Sequence, residues 1–322
     1  MSNKQEKLNL LNRLFIATGR TFLKMCGFTR SAMVFERYSS IHEVMPEIFY
    51  HLTCYMGWTK VPIRSNTVTI EPINKCNLRC KMCDLKKMKR SSGMMDLNLF
   101  KKIVDSNKEI KRICLSVWGE PLLNPYICEM IRYARRRNIY VLMFSNATML
   151  TREKAHDIID SGLNCLTFSL DGVGATYERV RGWNFQSVKK NIDYFLKINN
   201  AAGNPTRIEI NVVEFNENVG GGEEVERMYG DRVDAISITP LMKKDDNLRT
   251  KRCNKLWRNV VIYWDGTVVP CCVDINASMS LGNIEKYSLA EIFNCSNLKN
   301  MRKAHVGKKF PDICLRCNEY YT

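Results

Sequence analysis

The sequence contains 322 residues, 45% hydrophobic and 25% charged, which is typical of a globular protein able to bury one large core and a small second one. It has no run of about 18 apolar residues, and Arg13 interrupts the apolar stretch near the N-terminus with no small-residue cleavage site after it, which argues against a membrane span or signal peptide and predicts a cytoplasmic protein. The net charge of +16 favours acidic partners, whereas the lack of a helix-turn-helix, finger or aromatic-stacking signature beside the basic residues argues against nucleic acid.

Residues 1–66 have the pattern of a helical N-terminal extension. In LNLLNRLFIATGRTFLKMCGF, the apolar residues Leu11, Phe15, Phe22 and Met25 fall on one face, with basic residues off that face. Such a stripe is usually a core contact, which predicts that the helix packs on the domain that follows. Peripheral contact with a membrane surface or a lipid-linked substrate is the alternative.

From residue 67 the sequence alternates short apolar runs with amphipathic helical stretches. The six predicted strands are TVTIEP (67–72), RICLSVW (112–118), YVLMFSN (140–146), CLTFSLD (165–171), RIEINVVEF (207–215) and AISITPL (235–241). The predicted helices include one over 96–107 behind an Asp96 cap and one that begins at Pro125. Apolar strands separated by helices predict a parallel sheet with right-handed crossovers. Six strands are too few to close an eight-stranded barrel, so we predict an α/β fold with a partial (β/α)6 barrel.

The loop after the first predicted strand, CNLRCKMCDL, contains three closely spaced cysteines, Cys76, Cys80 and Cys83. Because the 14 cysteines of the chain come without a signal peptide, they indicate metal binding or catalysis rather than disulfides. A zinc ion would need a fourth nitrogen or sulfur ligand, and the 4 histidines are scattered elsewhere. A 4Fe-4S cluster normally takes one cysteine per iron, so three cysteines leave one iron open to a small molecule.

The same loop is strongly basic. Between Cys76 and Arg90, six basic residues accompany one acid, Asp84, which gives the segment a charge of +5. Such a field favours an acidic partner or substrate. The alternative is a solvated basic face, because a run of charges is a weak signal by itself.

The cysteine spacing resembles that of a known family. Cys-x3-Cys-x2-Cys directly after a first strand resembles the signature of the radical S-adenosylmethionine (SAM) enzymes, and the resemblance covers about residues 67–242. It implies a 4Fe-4S cluster on the three cysteines, whose open iron chelates the amino and carboxylate groups of SAM. The WGEP segment, with Gly119, Glu120 and Pro121, is similar to the Gly-Gly-Glu-Pro segment that receives the methionine amino group, although Trp118 replaces the first glycine.

Further residues match positions where this family contacts SAM. The resemblance implies contacts to the methionine and ribose from Asn146 at the end of the third strand and from Ser169 and Asp171 at the end of the fourth. Arg181 matches a position that pairs with the SAM carboxylate, which suits a bidentate guanidinium. Met82 falls where relatives carry an aromatic residue against the adenine. Each residue taken singly also fits a plain turn or cap, but together, in strand order, they favour the family.

A second group of cysteines follows a polar linker that begins near residue 243. The group supplies four thiolates, from Cys253, Cys271, Cys314 and Cys317. In WDGTVVPC, a hairpin turning at Asp265-Gly266 would carry Cys271 on its return strand. The same stretch resembles the Gly-x4-Cys segment of SPASM and twitch domains, which implies one auxiliary 4Fe-4S cluster. A zinc site, which also takes four sulfur ligands, is the alternative.

Two residues beside this group are candidates for catalysis. Cys272 directly follows a predicted ligand, so it fits the role of a ligand, of a proton or hydrogen-atom donor, or of a packed thiol. Some relatives place an acidic base just past this ligand, and the nearest acid here is Asp274.

The resemblance implies a radical SAM oxidoreductase with two 4Fe-4S clusters and SAM as cofactors. Cleavage of SAM would yield a 5'-deoxyadenosyl radical that takes a hydrogen atom from the substrate. An electron-accepting auxiliary cluster with a base leads to dehydrogenation, whereas return of a hydrogen atom from a thiol such as Cys272 leads to epimerisation. The basic loop would help to dock an acidic flavodoxin or ferredoxin as electron donor.

The substrate class stays open, with a small molecule placed first. A sugar, cyclitol or other polyol, with or without a phosphate or lipid attached, suits a twitch-sized domain and the basic N-terminus. A peptide or protein side chain is the alternative, although residues 1–66 lack the alternating strands of a leader-binding domain. The alternative to an enzyme is a non-catalytic metal-binding protein that docks a partner, and the set of predicted SAM contacts argues against it. The predicted domains are a helical extension over 1–66, a radical SAM partial barrel over 67–242 and a SPASM/twitch-like iron–sulfur domain over 243–322.

Overall fold

The computed structural model describes residues 41–61, 66–241, 248–315 and 317. The chain divides into two compact units, and each is described by itself. The barrel unit comprises Thr67–Leu241 and Val261–Ser288, and the terminal unit comprises Met1–Asn66, Met242–Val260 and Leu289–Thr322. The predicted apolar stripe over 11–25 lies outside the described residues, so its contacts stay a prediction. None of the helices in the described ranges combines the length and the apolar character that a membrane crossing needs.

The regular elements are numbered in chain order. The strands are β1 (Thr67–Ile70), β2 (Arg112–Leu115), β3 (Tyr140–Ser145), β4 (Cys165–Ser169), β5 (Arg207–Glu214), β6 (Ala235–Pro240), β7 (Val260–Ile262), β8 (Thr267–Val269) and β9 (Gly282–Asn283). The helices are α1 (Ile41–Tyr55), α2 (Leu97–Ser106), α3 (Ile127–Arg135), α4 (Arg152–Asp160), α5 (Gly174–Arg181), α6 (Phe185–Ala201), α7 (Gly221–Tyr229), α8 (Lys255–Arg258), α9 (Leu289–Phe293), α10 (Ser296–Val306) and α11 (Asp312–Leu315).

Strands β1 to β6 form a parallel sheet in which each strand pairs with the one before it in the chain. The sheet does not close, because the other side of β1 is taken by β7 rather than by β6. The predicted partial barrel of six parallel strands is therefore confirmed. The carboxyl ends of parallel strands share one edge of a sheet, so the loops that follow β1 to β4 lie together there.

Burial alternates along the first strands of the sheet. Val68 and Ile70 of β1 and Ile113 and Leu115 of β2 are fully buried, whereas the residues between them are half-buried. Successive side chains of a strand point to opposite faces. One face of β1 and β2 is therefore tightly packed, and the other is partly exposed.

A side-chain hydrogen bond to a nearby backbone N–H precedes each of two helices. The Asp96 carboxylate accepts a backbone N–H of the first turn of α2 at 2.7 Å, which confirms the predicted cap. Helix α3 begins at Ile127, and the prediction that it begins at Pro125 is wrong. The side-chain oxygen of Asn124 accepts the Tyr126 N–H and so holds a turn before the helix.

The predicted hairpin is present in the barrel unit. Strands β7 and β8 pair antiparallel around a turn in which Gly266 has φ +82°, a backbone conformation that favours glycine. Strand β8 ends at Val269, because Pro270 has no N–H with which to continue the ladder. Cys271 therefore lies just beyond the return strand, and the prediction that it lies on that strand is wrong.

Arg302 holds together the described part of the terminal unit. Its fully buried guanidinium donates to the carbonyl oxygens of Thr59, Leu256 and Phe293, at 2.8–3.0 Å. These carbonyls come from the segment after α1, from α8 and from α9. Burial lowers the pKa of Arg302 to about 10. The described end of residues 1–66 thus packs with C-terminal segments, and the division into three sequence domains stays a prediction.

Candidate functional site

The three predicted cluster ligands lie in one loop between β1 and α2. Cys76, Cys80 and Cys83 are all half-buried. Two backbone hydrogen bonds shape the loop: the Cys83 N–H donates to the Cys80 carbonyl at 3.1 Å, and the Lys81 N–H donates to the Val180 carbonyl at 2.9 Å. The second bond ties the cysteine loop to α5.

The cysteine loop offers the right donors for an iron–sulfur cluster. Burial raises the pKa of the Cys76 thiol to about 11 and raises the pKa of Cys80 as well. Among the described residues, no three His, Cys, Asp or Glu side chains are gathered closely enough to hold a metal ion. Three soft thiol donors in one loop still match the donor set of a cluster with one open iron. Cluster binding therefore requires the thiols to turn toward one point and to lose their protons.

The WGEP segment packs against the chain that leads into the cysteine loop. Gly119 has φ +87°, and a Cβ atom there would lie 2.3 Å from the Ile73 carbonyl oxygen and 2.7 Å from that of Lys75. The Glu120 N–H donates to the same Lys75 carbonyl at 2.9 Å. Position 119 therefore requires glycine, both for its backbone conformation and for the space around it.

We expect Gly119→Ala to lower the free energy of unfolding by about 2–5 kcal/mol, because the energetic cost of a left-handed backbone conformation in alanine adds to the cost of the steric clash. Gly182→Ala is the matched control, because Gly182 has φ +71° but, among the described residues beyond its chain neighbours and its own helix backbone, no atom lies within 4 Å of an added Cβ. The control should lose only about 1–2 kcal/mol of backbone strain. Denaturant unfolding of both variants measures the difference, and equal losses would contradict the close approach at position 119.

Glu120 links the ends of β2 and β3. Its carboxylate is buried and accepts the Leu122 N–H at 3.1 Å, the Ser145 hydroxyl at 2.8 Å and the Asn146 N–H at 2.7 Å. Burial raises the pKa of Glu120, and these hydrogen bonds oppose the rise. Pro121 follows as the first residue of a short 3₁₀ turn. The segment predicted to receive the methionine amino group is thus fixed between two strands.

Asn146 lies beside the first predicted cluster ligand. Its side-chain amide donates to Cys76 Sγ at 3.7 Å and to Asn77 Oδ1 at 3.2 Å. Its own side-chain oxygen accepts the Thr148 N–H at 2.9 Å. The structure therefore brings the polar residue at the end of β3 to the cysteine loop.

Asp171 and Arg181 form a buried ion pair. Arg181 Nε donates to Asp171 Oδ2 at 2.6 Å, and Asp171 Oδ1 accepts the Val213 N–H at 2.7 Å. Burial opposes the charge on Arg181, but Asp171 and then Cys80 raise the pKa of the guanidinium above its usual value. Cys80, the second predicted cluster ligand, lies close to both charges: burial raises the pKa of its thiol most, Arg181 opposes the rise and Asp171 adds to it.

The remaining predicted SAM contacts occupy the same edge of the sheet. Ser169 ends β4 and lies opposite Asn211 of β5. Met82 is half-buried within the cysteine loop. Contacts of Ser169 and Met82 with SAM stay predictions.

A buried ion pair that the sequence patterns did not reveal closes the cysteine loop. Arg90 donates to both carboxylate oxygens of Glu71, at 2.8 and 3.0 Å, and its guanidinium lies 3.6 Å from the centre of the Tyr263 ring. It also donates to the Ile275 carbonyl at 2.7 Å. The pair joins the end of β1, the end of the loop and the segment after β8. Arg90 belongs to the basic run of the loop, and nothing in the sequence separates it from its solvated neighbours.

Asp274 is engaged in its own turn. Its carboxylate is buried and accepts the N–H and the hydroxyl of Ser278 and the N–H of Met279, at 2.7–2.8 Å. The Tyr263 hydroxyl donates to the Asp274 carbonyl. These bonds stabilise the turn over 274–279, and a role of Asp274 as a base stays a prediction.

Cys272 and the first residue of the WGEP segment pack against the same apolar cluster. Cys272 is half-buried, and the first residue of the segment is Trp118. The members of the cluster are Val261, Tyr263 and Val269. One apolar cluster therefore borders both a free thiol and the segment predicted to contact SAM.

The predicted auxiliary ligands are divided between the two compact units. Cys253, Cys314 and Cys317 belong to the terminal unit, and Cys271 belongs to the barrel unit. All of them are half-buried, and burial raises the pKa of the Cys253 thiol. The set of four auxiliary ligands stays a prediction from the sequence.

This chain combines an open parallel barrel, three cysteines in the first loop of the barrel and buried polar residues after the next strands. These features together define a class of proteins. The sequence model of the radical SAM superfamily matches residues 70–218, and that of SPASM, an iron–sulfur cluster-binding domain, matches residues 253–318. The chain belongs to the radical SAM superfamily and carries a SPASM domain. SAM, the 4Fe-4S cluster that holds it and auxiliary iron–sulfur are accordingly its cofactors, as predicted.

Similar proteins differ in the molecules that their names or their solved complexes contain. The chain is 26% identical over 310 residues to the tungsten-containing aldehyde ferredoxin oxidoreductase cofactor-modifying protein of Pyrococcus furiosus, with 77% of this chain and 86% of that protein covered. BtrN in complex with AdoMet and 2-DOIA has a TM-score of 0.55 and 19% identity, over 79% of this chain and 93% of BtrN. Streptococcus suis SuiB bound to precursor peptide SuiA has a TM-score of 0.64 and 13% identity, over 80% of this chain and 71% of SuiB. At these identities the two solved structures show the fold.

Proposed function

We propose that this protein is a radical SAM enzyme that epimerises one carbon centre of a small molecule, with Cys272 as the group that returns the hydrogen atom. When bound, SAM and its cluster supply a 5'-deoxyadenosyl radical that removes the first hydrogen atom from that carbon. The packing of Cys272 against the same apolar cluster as Trp118 is the observation that carries the proposal.

The barrel residues would bind and orient the reactants. The thiolates of Cys76, Cys80 and Cys83 would hold the SAM cluster. Arg181 would offset the negative charge of that site, while Glu120 keeps the WGEP segment in place through its three hydrogen bonds.

Cys272 would complete the exchange of hydrogen atoms. The S–H bond breaks, and its hydrogen atom forms a new C–H bond on the substrate carbon. One electron from the donor protein and one proton from solvent then restore the thiol. The exposed basic residues of the cysteine loop support an acidic flavodoxin or ferredoxin in the role of donor. They are Arg79, Lys81, Lys86, Lys87 and Lys89, of which Lys81 and Lys87 form ion pairs with Glu217 and Asp84.

Dehydrogenation, the other outcome that the sequence leaves open, needs a base near the substrate carbon. Asp274 is the acid nearest to the predicted ligand Cys271, but its carboxylate accepts three hydrogen bonds within its own turn. The half-buried thiol of Cys272 is more available for chemistry. This difference favours epimerisation over oxidation.

A sugar- or cyclitol-type molecule is the substrate class that we place first. The likeness to a cofactor-modifying protein and to BtrN, solved in complex with 2-DOIA, supports a small-molecule substrate. The likeness to SuiB, solved with a precursor peptide, favours a peptide as the second candidate.

The test is an anaerobic assay of the iron- and sulfide-reconstituted protein in deuterium oxide, with dithionite, SAM and separate pools of sugars, cyclitols and precursor peptides. Formation of 5'-deoxyadenosine should rise with a sugar or cyclitol pool, and one product should gain one carbon-bound deuterium. Cys272→Ser should still form 5'-deoxyadenosine but lose that deuterium. Cys128→Ser, a change at a buried cysteine of α3, is the matched control and should keep both.

Each other outcome would overturn a stated part of the proposal. A product that lacks two hydrogen atoms and contains no deuterium would establish dehydrogenation. Turnover with peptides alone would establish the second candidate substrate. Absence of 5'-deoxyadenosine, with zinc in both cysteine sites, would leave a non-catalytic metal-binding protein.

A further inference from the structure

Arg249 gathers the cysteine pair near the C-terminus of the described chain. Its guanidinium is buried and donates from Nε to the Cys314 carbonyl and from Nη2 to the Cys317 carbonyl, both at 3.1 Å. Its backbone N–H donates to the Leu315 carbonyl at 2.7 Å. A guanidinium fixed on both carbonyls orients the Cys-x2-Cys turn and places a positive charge beside it.

His305 of α10 lies against Cys253, the remaining predicted auxiliary ligand of the terminal unit. The ring is fully buried, and its Nδ1 atom accepts the Cys253 N–H at 3.2 Å. A neutral imidazole that accepts at Nδ1 carries its proton on Nε2. Within the ranges that the structure describes, this buried Nε2 atom has no hydrogen-bond partner. A buried donor without an acceptor is destabilising, and the Phe310 ring, packed T-shaped against His305 at 4.9 Å between ring centres, offers only a weak π acceptor, so a stronger acceptor at Nε2 would stabilise His305.

We propose that His305 Nε2 donates a hydrogen bond to a sulfur atom of the auxiliary iron–sulfur cluster, either a cysteine thiolate or a bridging sulfide. The inference rests on the predicted placement of that cluster at Cys253, Cys314 and Cys317. Both kinds of sulfur carry negative charge and accept N–H donors, so cluster binding would satisfy the buried Nε2 proton.

The hydrogen bond would set the reduction potential of the auxiliary cluster. Reduction adds negative charge to the cluster sulfurs, and a donor aimed at one of them stabilises the reduced form more than the oxidised form. Arg249 acts in the same direction through its charge. His305 is thus a positioning residue for Cys253 through Nδ1 and a tuning residue for the cluster through Nε2.

The test uses a background protein with Cys76→Ala, Cys80→Ala and Cys83→Ala, which keeps only the auxiliary cluster. In this background, two amide substitutions of His305 separate the positioning of Cys253 from the tuning of the cluster. His305→Asn can place an acceptor near the Nδ1 position, and His305→Gln can place a donor near the Nε2 position. We expect His305→Asn to lower the ratio of reduced to oxidised cluster at a fixed potential about tenfold, a shift of about 59 mV for one electron. His305→Gln should stay close to the background protein. Redox titration followed by electron paramagnetic resonance (EPR) measures both.

A second measurement needs no substitution at His305. With ¹⁵N-labelled histidine in the background protein, electron–nuclear double resonance of the reduced auxiliary cluster should show hyperfine coupling to one histidine nitrogen. Absence of that coupling, or equal potentials in His305→Asn and the background protein, would overturn the role of His305. A background protein that binds no iron would instead overturn the auxiliary cluster itself, and the proposal with it.

Discussion

Replacement of Cys80 by alanine is expected to abolish the reductive cleavage of SAM and to lower the iron content of the reconstituted protein from about eight to about four atoms per chain. The loop would then hold a cluster by two thiolates only, so no stable iron would remain to chelate SAM. The auxiliary cysteines are separate from this loop in the sequence and should keep their iron. Iron and sulfide analysis, EPR of the reduced protein with and without SAM, and 5'-deoxyadenosine formation measure the effect.

Cys128→Ala is the control for the general loss of a thiol. Cys128 is buried in α3, where it packs as a small hydrophobic side chain. We expect full iron content and SAM cleavage in this variant. Retention of SAM cleavage by Cys80→Ala, or an equal loss in Cys128→Ala, would contradict the assignment of the cysteine loop.

Arg181→Met is expected to lower the free energy of unfolding by about 3–5 kcal/mol, because it leaves the buried carboxylate of Asp171 without its charged partner. It should also weaken SAM binding, since Arg181 is the residue predicted to meet the SAM carboxylate. Arg181→Lys should recover part of the stability, because it restores the charge but not the guanidinium geometry. Denaturant unfolding measures the first effect, and a SAM titration of the cluster spectrum measures the second.

Two further variants separate the ion pair from general damage to α5. Arg179→Met removes an exposed arginine of the same helix together with its hydrogen bond to the Glu217 carbonyl, and should lower the free energy of unfolding by only about 0.5–1.5 kcal/mol. The double variant Asp171→Asn, Arg181→Met should recover stability relative to Arg181→Met alone, because no buried charge is left unpaired. A double variant as unstable as Arg181→Met would show that the ion pair is not the cause.

Local sequence patterns were sufficient for the architecture of the barrel. The alternation of six apolar runs with helical stretches predicted the parallel sheet, because each element buries a face that its own residues define. The Asp96 cap and the turn at Gly266 depend on neighbours within a few residues, so they too could be predicted. The helix start at Pro125 was wrong because the chain over 124–127 forms a separate turn, closed by the Ile127 N–H donating to the Asn124 carbonyl at 3.2 Å, and the helical hydrogen bonds begin only after it.

The cysteine spacing by itself indicated the family and the SAM-binding cluster, since three thiols of one short loop stay close in the chain however the rest of it folds, although the described side chains are not gathered at one point. The partners of Glu71, Glu120 and His305 were decided only by the tertiary structure. Cys253 and His305 are 52 positions apart in the sequence, and Glu71 and Arg90 are 19 apart. A sequence pattern records which groups are polar, but only the packing of strands and helices decides which buried donor faces which acceptor, and the energy of a buried charge depends on that pairing.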